Sequence, residues 1–329
     1  MSRYLISKII ALLAGLVLLL IAFNHNSSSI YYISGQAYGT SWSVSSSEYI
    51  ADHHKEEIKN IINDIDFVAS NYKPESEISK INMNYSEYQF VSSDLFNILK
   101  IAKVVELESE NFYNIMLGKV SSNLGFSPNF GNKLLQKNIS TYDLDEMNSS
   151  LIRYSDNWFD LSSIAKGYAV QKIHDYLESN NLINHLIDIG GEIIISGNKH
   201  GDPWNIGIQN PLSDIDNSTI TINNSDHNFL AIATSGEYRN FKFDKDGNKI
   251  THTIDPNTLT SINNNILSVT VINESSATYA DAYATAFNAM GMIKAIDIAN
   301  KNNVAIMVIY KNDDVIDIIF SDKWYDLFV

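Results

Sequence analysis

The chain has 329 residues, of which 45% are hydrophobic and 11% aromatic, enough to build the core of one large domain or two ordinary ones. Its formal net charge of -15 argues against nucleic acid as a partner, because nucleic acids attract basic surfaces. The sequence has no cysteine, which excludes disulfides, thiolate metal sites, a cysteine nucleophile and lipid attachment through cysteine.

Residues 1–26 are predicted to be a targeting segment. Arg3 and Lys8 precede an uncharged run at 9–23, which has the length of a signal-peptide core. Counted from Tyr4, the run reaches about twenty residues, enough to cross a membrane at about 1.5 Å per residue. Because no small-x-small cleavage site is evident, the pattern favours an uncleaved anchor over a cleaved signal. The remainder would then lie on the periplasmic side of the inner membrane.

After a short linker at 27–34, residues 35–329 are predicted to form one domain. Helices are indicated by apolar residues at three- and four-residue spacing, and strands by alternating or β-branched runs. Predicted helices lie at 47–70, 95–107 and 277–290, with a further one after 160 and a short one within 71–82. Predicted strands lie at 35–44, 186–195, 204–209, 230–234, 266–272, 304–310 and 315–320, and 213–228 is predicted to be a surface loop. The expected class is α+β, an α/β-type single domain with a mostly antiparallel sheet core and packed helices.

The segment 160–197 combines several local signals. The hydroxyls of Ser162-Ser163 are suited to cap a helix, and Asn180-Asn181 is suited to end it. The following strand run is interrupted by Gly190-Gly191, which marks a bulge or the close approach of another backbone or a ligand. A helix N-terminus beside Lys166 suits a phosphate. Taken alone, however, this segment favours an ordinary helix–strand unit with a solvated lysine.

Two further patterns could carry chemistry. Asp281 and Thr285 lie four residues apart on one face of a predicted helix rich in alanine and tyrosine, where a hard cation such as Mg²⁺ would balance a buried carboxylate. From spacing alone, an exposed Asp and a Thr bonded to its own helix are favoured. His252 near Asp255 is usually structural or solvated, and would be a general base only beside a nucleophile. The motifs GxSxG, HExxH, GxGxxG and GxxxxGK[ST] are absent, which disfavours hydrolase, zinc-protease, dinucleotide-binding and P-loop classes.

Six motifs in order resemble those of the FAD:protein FMN transferase (ApbE) family, over about residues 35–292. They are GQAYGTSWSV, SNYKPESEISKIN, DLSSIAKGYAVQKI with LIDIGGEIIISG, ATSGEYRNF, HTIDPNT and SVTVINESSATYADAYATAFNAMG. The resemblance implies an enzyme that takes FAD, uses Mg²⁺ and attaches FMN through a phosphoester to a threonine of a target protein, releasing AMP. The implied targets are flavin-carrying subunits of exported or membrane redox complexes.

The resemblance also implies roles for individual residues. Asp281 and Thr285 match the metal ligands, the main-chain carbonyl of Ala165 completes the shell, and Ser163 is a second candidate there. His252 matches the family histidine and is the best candidate for a base. The positions matched to FAD binding are Tyr38, Tyr72, Phe112, Tyr113, Asn114, Asp160, Lys166, Gly190, Gly191, Thr234, Ser235, Gly236 and Thr253. Their glycine-containing segments are expected to let backbone N–H groups approach the cofactor.

Three departures from the family pattern are visible. Asn114 replaces a carboxylate, HTIDPNTLT lacks the glycine that commonly follows, and the cysteine for lipid attachment is missing, so membrane attachment is expected to come from the N-terminal helix. In addition, Tyr38 stands where the family usually has methionine. None of them touches Asp281, Lys166 or His252, so an active enzyme is expected. Two alternatives remain open at this point: a Mg²⁺-dependent FAD pyrophosphatase that releases FMN and AMP to water, and a non-catalytic exported FAD-binding protein.

Overall fold

A computed structural model of the chain describes residues 3–27, 29–128, 136–211, 218–236, 241–243, 245–312 and 315–328. The helices in these ranges are α1 (Arg3–Ser27), α2 (Asp52–Ala69), α3 (Glu77–Met83), α4 (Ser93–Glu108), α5 (Gly118–Leu124), α6 (Ala165–Ser179), α7 (Ala277–Met290), α8 (Met292–Lys301) and α9 (Asp322–Phe328). The strands are β1 (Tyr31–Ala37), β2 (Thr40–Ser46), β3 (Tyr88–Phe90), β4 (Tyr142–Asp145), β5 (Ser150–Arg153), β6 (His185–Ile189), β7 (Glu192–Ser196), β8 (Asn205–Gln209), β9 (Ser218–Asn223), β10 (Phe229–Gly236), β11 (Phe241–Phe243), β12 (Lys249–Thr251), β13 (Ile254–Asp255), β14 (Thr260–Ser261), β15 (Ile266–Asn273), β16 (Ala305–Asn312) and β17 (Val315–Phe320).

The central sheet has eight strands in the order β1-β2-β6-β7-β10-β15-β16-β17. Every neighbouring pair in it is antiparallel. The predicted mixed fold with a mostly antiparallel sheet is therefore confirmed, as is the closing hairpin formed by the last two strands.

Both faces of the sheet are buried along its inner strands β7, β10, β15 and β16, which explains why these strands have few polar positions. On β10, Ala231 and Ala233 join the larger core formed with α2, α4, α6 and α7, whereas Leu230 and Ile232 join a second core on the opposite face. That second core is closed by the β8–β9 ribbon and by Trp324 of α9. Because side chains alternate across a strand, one apolar run supplies both layers.

Helices α6 and α7 cross closely at Gly167. A Cβ atom at this position would lie 2.4 Å from the carbonyl oxygen of Ala277 and 2.6 Å from the Cβ of Asp281. The absence of a side chain lets the Gly167 N–H donate to a carboxylate oxygen of Asp281 at 2.8 Å. The start of α6 is thus held against the middle of α7, which places Lys166 beside Asp281.

The start of α6 differs from the prediction. The helix begins at Ala165, the residue before it makes no capping side-chain bond, and the hydroxyl of Ser163 lies 3.0 Å from that of Tyr113 instead. Capping by Ser162-Ser163 is therefore wrong, because Ser163 is bonded to another part of the chain. The predicted end of the helix is confirmed: Asn181 has the left-handed φ of 60°.

The Gly190-Gly191 pair is a chain reversal and not a bulge. Ile189 pairs with Glu192, so β6 and β7 form a hairpin whose two turn residues have φ angles of 66° and 103°. Two positive φ angles are what a tight two-residue turn between right-twisted strands requires. The predicted single strand over 186–195 is therefore two antiparallel strands.

A second turn of this kind corrects the N-terminal prediction. Tyr38 and Gly39 both have positive φ and join β1 to β2, so 35–44 contains a hairpin. The strand β1 begins at Tyr31, which shortens the predicted linker at 27–34.

The predicted surface loop at 213–228 is only partly confirmed. Residues 218–223 of the predicted surface loop form β9, whereas 213–217 lie outside the described residues. Residues 237–240, which belong to the ATSGEYRNF motif, and residue 244 also lie outside them. Within the described part of the chain, no helix has both the length and the apolar character needed to cross a membrane.

Candidate active site

A pocket of about 350 Å³ opens where the start of α6, the β6–β7 turn, the end of β10 and the middle of α7 meet. It collects all the predicted site residues except Ala165 and Gly191. Those in its wall are Tyr38, Tyr72, Phe112, Tyr113, Asn114, Asp160, Lys166, Gly190, Thr234, Ser235, Gly236, His252, Thr253, Asp281 and Thr285. Positions spread over most of the sequence thus converge on one cavity.

A buried charge cluster forms the floor of this pocket. The Lys166 ammonium lies 2.5 Å from a carboxylate oxygen of Glu192, and both Glu192 and Asp281 are almost fully buried. Burial raises the pKa of both carboxyl groups, and the Lys166 charge opposes that rise. Asp281 raises the pKa of Glu192 further, because two nearby carboxylates disfavour each other's ionised form. Two buried carboxyl groups therefore interact with the single positive charge of Lys166.

Glu192 was not predicted as a site residue. The available signal was a carboxylate at the start of the apolar strand Glu192–Ser196, whose residues are all buried. A buried charge is tolerated only with a partner. A glutamate that begins an apolar strand therefore indicates that a cationic side chain or a metal ion lies beside it.

The oxygen donors on α7 fit a hard cation. Asp281 and the half-buried Thr285 lie one helical turn apart, and both line the pocket. The buried carboxylates of Asp281 and Glu192 outnumber the Lys166 ammonium, so the cluster favours a further cation, and its carboxylate and hydroxyl oxygens are ligands that Mg²⁺ prefers. Ala165 is buried at the first position of α6 and is not part of the pocket wall. A role for its carbonyl therefore stays a prediction.

The glycine turn does not present free amides to the pocket. The N–H of Gly190 donates to the carbonyl of Ser41 at 3.1 Å, and that of Gly191 donates to the carboxylate of Asp188 at 2.8 Å. The expectation that these two N–H groups approach the cofactor therefore has no support here, since one is bonded to the neighbouring strand β2 and the other within the turn. The end of β10 differs: it pairs with β15 as far as Gly236 but with β7 only as far as Ile232. The edge of Thr234-Ser235-Gly236 therefore extends beyond its β7 neighbour into the pocket wall.

Asp160 and Tyr72 form one wall of the pocket, the Asp160 wall, which hydrogen bonds from distant segments hold in place. The Asp160 carboxylate accepts the Ser162 N–H at 3.1 Å and the Ser127 hydroxyl at 2.8 Å. The Tyr72 hydroxyl donates to the carbonyl of Phe126 at 2.5 Å. Tyr72 thereby closes one side of the pocket while its ring stays exposed.

Two buried asparagines hold the backbone on either side of Asp160. The Asn71 amide donates to the Phe159 carbonyl at 2.7 Å and accepts the Leu161 N–H at 3.1 Å. The Asn82 amide donates to the same carbonyl at 2.8 Å and accepts the Phe159 N–H at 2.8 Å. The two side-chain amides satisfy the backbone N–H and carbonyl groups of this segment, as neighbouring strands would.

The departure at Asn114 has a physical reason. Its amide nitrogen donates to the buried carboxylate of Glu106 at 3.0 Å and to the carbonyl of Ser140 at 3.1 Å, while its oxygen accepts the Met116 N–H at 2.7 Å. A carboxylate at position 114 would lose both donated bonds and face the charge of Glu106. Asn114 therefore shapes the loop that carries Tyr113 and Phe112 into the pocket.

The Tyr38 side chain is likewise tied to the fold at its polar end. Its hydroxyl donates to the carbonyl of Ile62 in α2 at 2.7 Å, and burial raises the pKa of Tyr38. Its ring remains available as an apolar part of the wall.

His252 directly follows β12 and lines the pocket. Its ring lies edge-on to Phe126, with centroids 6.3 Å apart. The adjacent Thr253 is buried, and the Asn288 amide of α7 lies 3.3 Å from both the Thr253 and Ser235 hydroxyls. Asn288, a polar residue in an apolar helix face that was not predicted, thus connects the His252 loop to β10.

Comparisons with known proteins agree with this geometry. The model of the ApbE family matches residues 38–309. An FAD:protein FMN transferase of Vibrio cholerae is 31% identical over 323 residues, which cover 90% of this chain and 92% of the relative. Another, from Haemophilus influenzae, is 30% identical over 337 residues, covering 95% and 94%. The solved flavin transferase ApbE from Vibrio cholerae superposes with a TM-score of 0.79 at 28% identity, covering 91% of this chain and 99% of that one.

Proposed function

The chain belongs to the ApbE family and transfers FMN from FAD to a target protein; on this premise, we propose that the acceptor is a threonine hydroxyl and that the transfer depends on Mg²⁺. The observation that supports the proposal is the pocket in which Lys166, Asp281, Thr285 and His252 meet. The acceptor would be a flavin-carrying subunit of an exported or membrane redox complex.

The proposed reaction breaks the phosphorus–oxygen bond between the two phosphates of FAD. The threonine oxygen forms a phosphoester with the phosphorus of FMN, AMP leaves with the bridging oxygen, and the hydroxyl proton passes to a base. Lys166, held by Glu192 at the start of α6, would bind the phosphates through its ammonium group. Asp281 and Thr285 would hold the Mg²⁺ ion, which when bound neutralises phosphate oxygens and the developing charge on AMP.

His252 is proposed as the base, since a threonine hydroxyl is a weak nucleophile near neutral pH. A positioned base contributes about 10²–10⁴-fold to the rate. We expect His252→Ala to slow single-turnover flavin transfer by roughly that factor while FAD still binds, because the phosphate contacts lie on α6 and α7. His200→Ala, a histidine outside the pocket, is the matched control.

The decisive assay mixes the protein with FAD, Mg²⁺ and a candidate flavoprotein subunit and follows covalent flavin by in-gel fluorescence and AMP by chromatography. Fluorescent acceptor with stoichiometric AMP supports the proposal. AMP and free FMN without labelled acceptor would indicate a pyrophosphatase, and bound FAD without AMP a carrier. An unchanged transfer rate for His252→Ala at saturating FAD would remove the histidine from the base role.

We also propose that the enzyme works on the extracytoplasmic side of the inner membrane, attached by its N-terminal segment. The support is the uncharged run at 9–23 with Arg3 and Lys8 before it. Mass spectrometry of the N-terminus and membrane fractionation test this location; a chain that begins near residue 27 and is found in the soluble fraction would contradict the anchor.

A further inference from the structure

A group of three metal-ligating side chains lies outside the active-site pocket. His174 and Glu178 are one turn apart on α6, and His185 is the first residue of β6. One ligand atom from each lies within 4.8 Å of the others. We propose that His174, Glu178 and His185 form a binding site for a divalent transition-metal ion such as Zn²⁺.

The orientation of His185 is set by a bond on its far side. Its Nδ1 lies 2.7 Å from the carbonyl oxygen of Leu182, which can only accept, so Nδ1 carries the proton and donates it. Its Nε2 is then an unprotonated acceptor, and it lies 2.9 Å from Nδ1 of His174. Metal-binding histidines typically donate their second nitrogen to a carbonyl or carboxylate in this way, which directs the other lone pair at the ion.

The other two ligands are also supported. The Ser196 hydroxyl lies 3.1 Å from a carboxylate oxygen of Glu178 and donates to it. The ring of His174 packs against Phe229, with centroids 4.8 Å apart. His185 is fully buried, His174 half-buried and Glu178 exposed, so the cluster is fixed at its inner end and open to solvent at its outer end. An ion can therefore enter past Glu178.

The donor set selects the class of metal. Imidazole nitrogens suit Zn²⁺, Cu²⁺ and Ni²⁺, whereas Mg²⁺ prefers oxygen ligands throughout. Tetrahedral zinc with bonds of about 2.0–2.1 Å separates two ligating nitrogens by about 3.3 Å. The 2.9 Å between Nδ1 of His174 and Nε2 of His185 is a hydrogen bond, so binding through these two nitrogens requires the His174 proton to move from Nδ1 to Nε2 and the nitrogens to separate by about 0.4 Å more. Three protein ligands leave a fourth position for water.

The proposed metal site lies in the C-terminal half of α6, whose N-terminus lines the active-site pocket. His174 is eight residues beyond Lys166, or about 12 Å along α6. A bound ion would join the second half of α6 to the start of β6, two elements whose other ends carry Lys166 and the glycine turn. Its expected effect is a higher melting temperature, because the ion binds the folded chain and the unfolded chain lacks the arranged ligands.

The test is calorimetric titration of the chelator-treated full chain with ZnCl₂ in excess MgCl₂. We expect one Zn²⁺ per chain, a raised melting temperature and a zinc X-ray absorption spectrum with two imidazole ligands. Glu178→Gln, which keeps an acceptor for Ser196, and His174→Phe, which keeps a ring against Phe229, should each weaken binding by at least about 10-fold. His227→Ala is the matched control, since His227 also lies near a carboxylate, 3.8 Å from Glu274.

Two further comparisons separate this site from the active site. Asp281→Ala should bind Zn²⁺ as the wild type does, whatever its transferase activity. Wild-type affinity in both Glu178→Gln and His174→Phe, displacement of Zn²⁺ by Mg²⁺, or the absence of binding would overturn the proposal.

Discussion

The contact between α6 and α7 predicts that Gly167→Ala damages catalysis more than stability. An alanine Cβ would lie 2.4 Å from the Ala277 carbonyl oxygen, whereas ordinary contact begins at 3.4 Å, so the helices must separate by about 1 Å. Overpacking of this kind costs about 1–3 kcal/mol, and alanine regains about 1 kcal/mol of helix propensity, which leaves a net loss of roughly 0–2 kcal/mol.

The same displacement moves the reacting groups. Gly167 donates its N–H to Asp281, and Lys166 is the adjacent residue, so a shift of about 1 Å changes the distance between the phosphate-binding and metal-binding sides of the pocket. Misplacement by that distance can reduce a rate by about 10²-fold. We therefore expect single-turnover FMN transfer to fall by about that factor while the melting temperature changes by only a few degrees.

The assay measures flavin transfer by in-gel fluorescence and stability by thermal melting. Ser179→Ala is the control, because it raises helix propensity at the exposed end of α6 without filling the α6–α7 contact. If Gly167→Ala transferred FMN at the wild-type rate, the close helix contact would not position the active site.

Three other outcomes are expected. Asp281→Ala should abolish Mg²⁺-dependent transfer with the fold intact by circular dichroism; activity undiminished in EDTA would contradict the metal site. Burial raises the pKa of Glu192 from 4.5 to about 7, so in EDTA the contribution of Glu192 to the free energy of unfolding should be greatest below pH 4.5 and decline as pH rises towards about 7. Glu192→Gln should reduce the decline of stability over this pH range, with the remainder due to Asp281, and an identical pH profile in the variant would contradict the assignment. Asn114→Asp places a carboxylate beside Glu106 and removes two donated bonds, so it should cost about 1–3 kcal/mol in denaturant unfolding, and an unchanged midpoint would contradict this.

The sequence predicted those helices and strands whose residues follow a regular pattern. The spacing within 277–290 predicted α7 with the observed bounds, because its small residues repeat at helical intervals and Ser276 caps it. The last two strands were located by their β-branched runs. Short elements such as β3, β4, β5 and α9 were missed, since few residues carry their pattern and tertiary contacts stabilise them.

The active-site prediction depended on different information. Family resemblance located the pocket residues, but spacing alone favoured an exposed Asp281 and a solvated Lys166. The structure buries the first and pairs the second with Glu192. Those outcomes depend on which element packs where, and a single sequence does not reveal packing partners. Gly190-Gly191 was recognised as a local irregularity, and the structure explains it by a tight turn and by the close approach of the Ser41 backbone.

The asparagine supports of the Asp160 wall have a consequence for how the enzyme is made. Asn71 and Asn82 bond to a backbone segment 77 to 90 positions later in the chain, so the ordering of that segment depends in part on distant residues. Contacts between residues so far apart in the sequence cost loop-closure entropy before they stabilise the fold, and this slows folding. A growing chain that has reached α6 but has not yet docked its N-terminal helices would hold Lys166 without the wall beside it. Phosphate binding should therefore appear late in refolding, together with the protection of the Phe159 amide from hydrogen exchange.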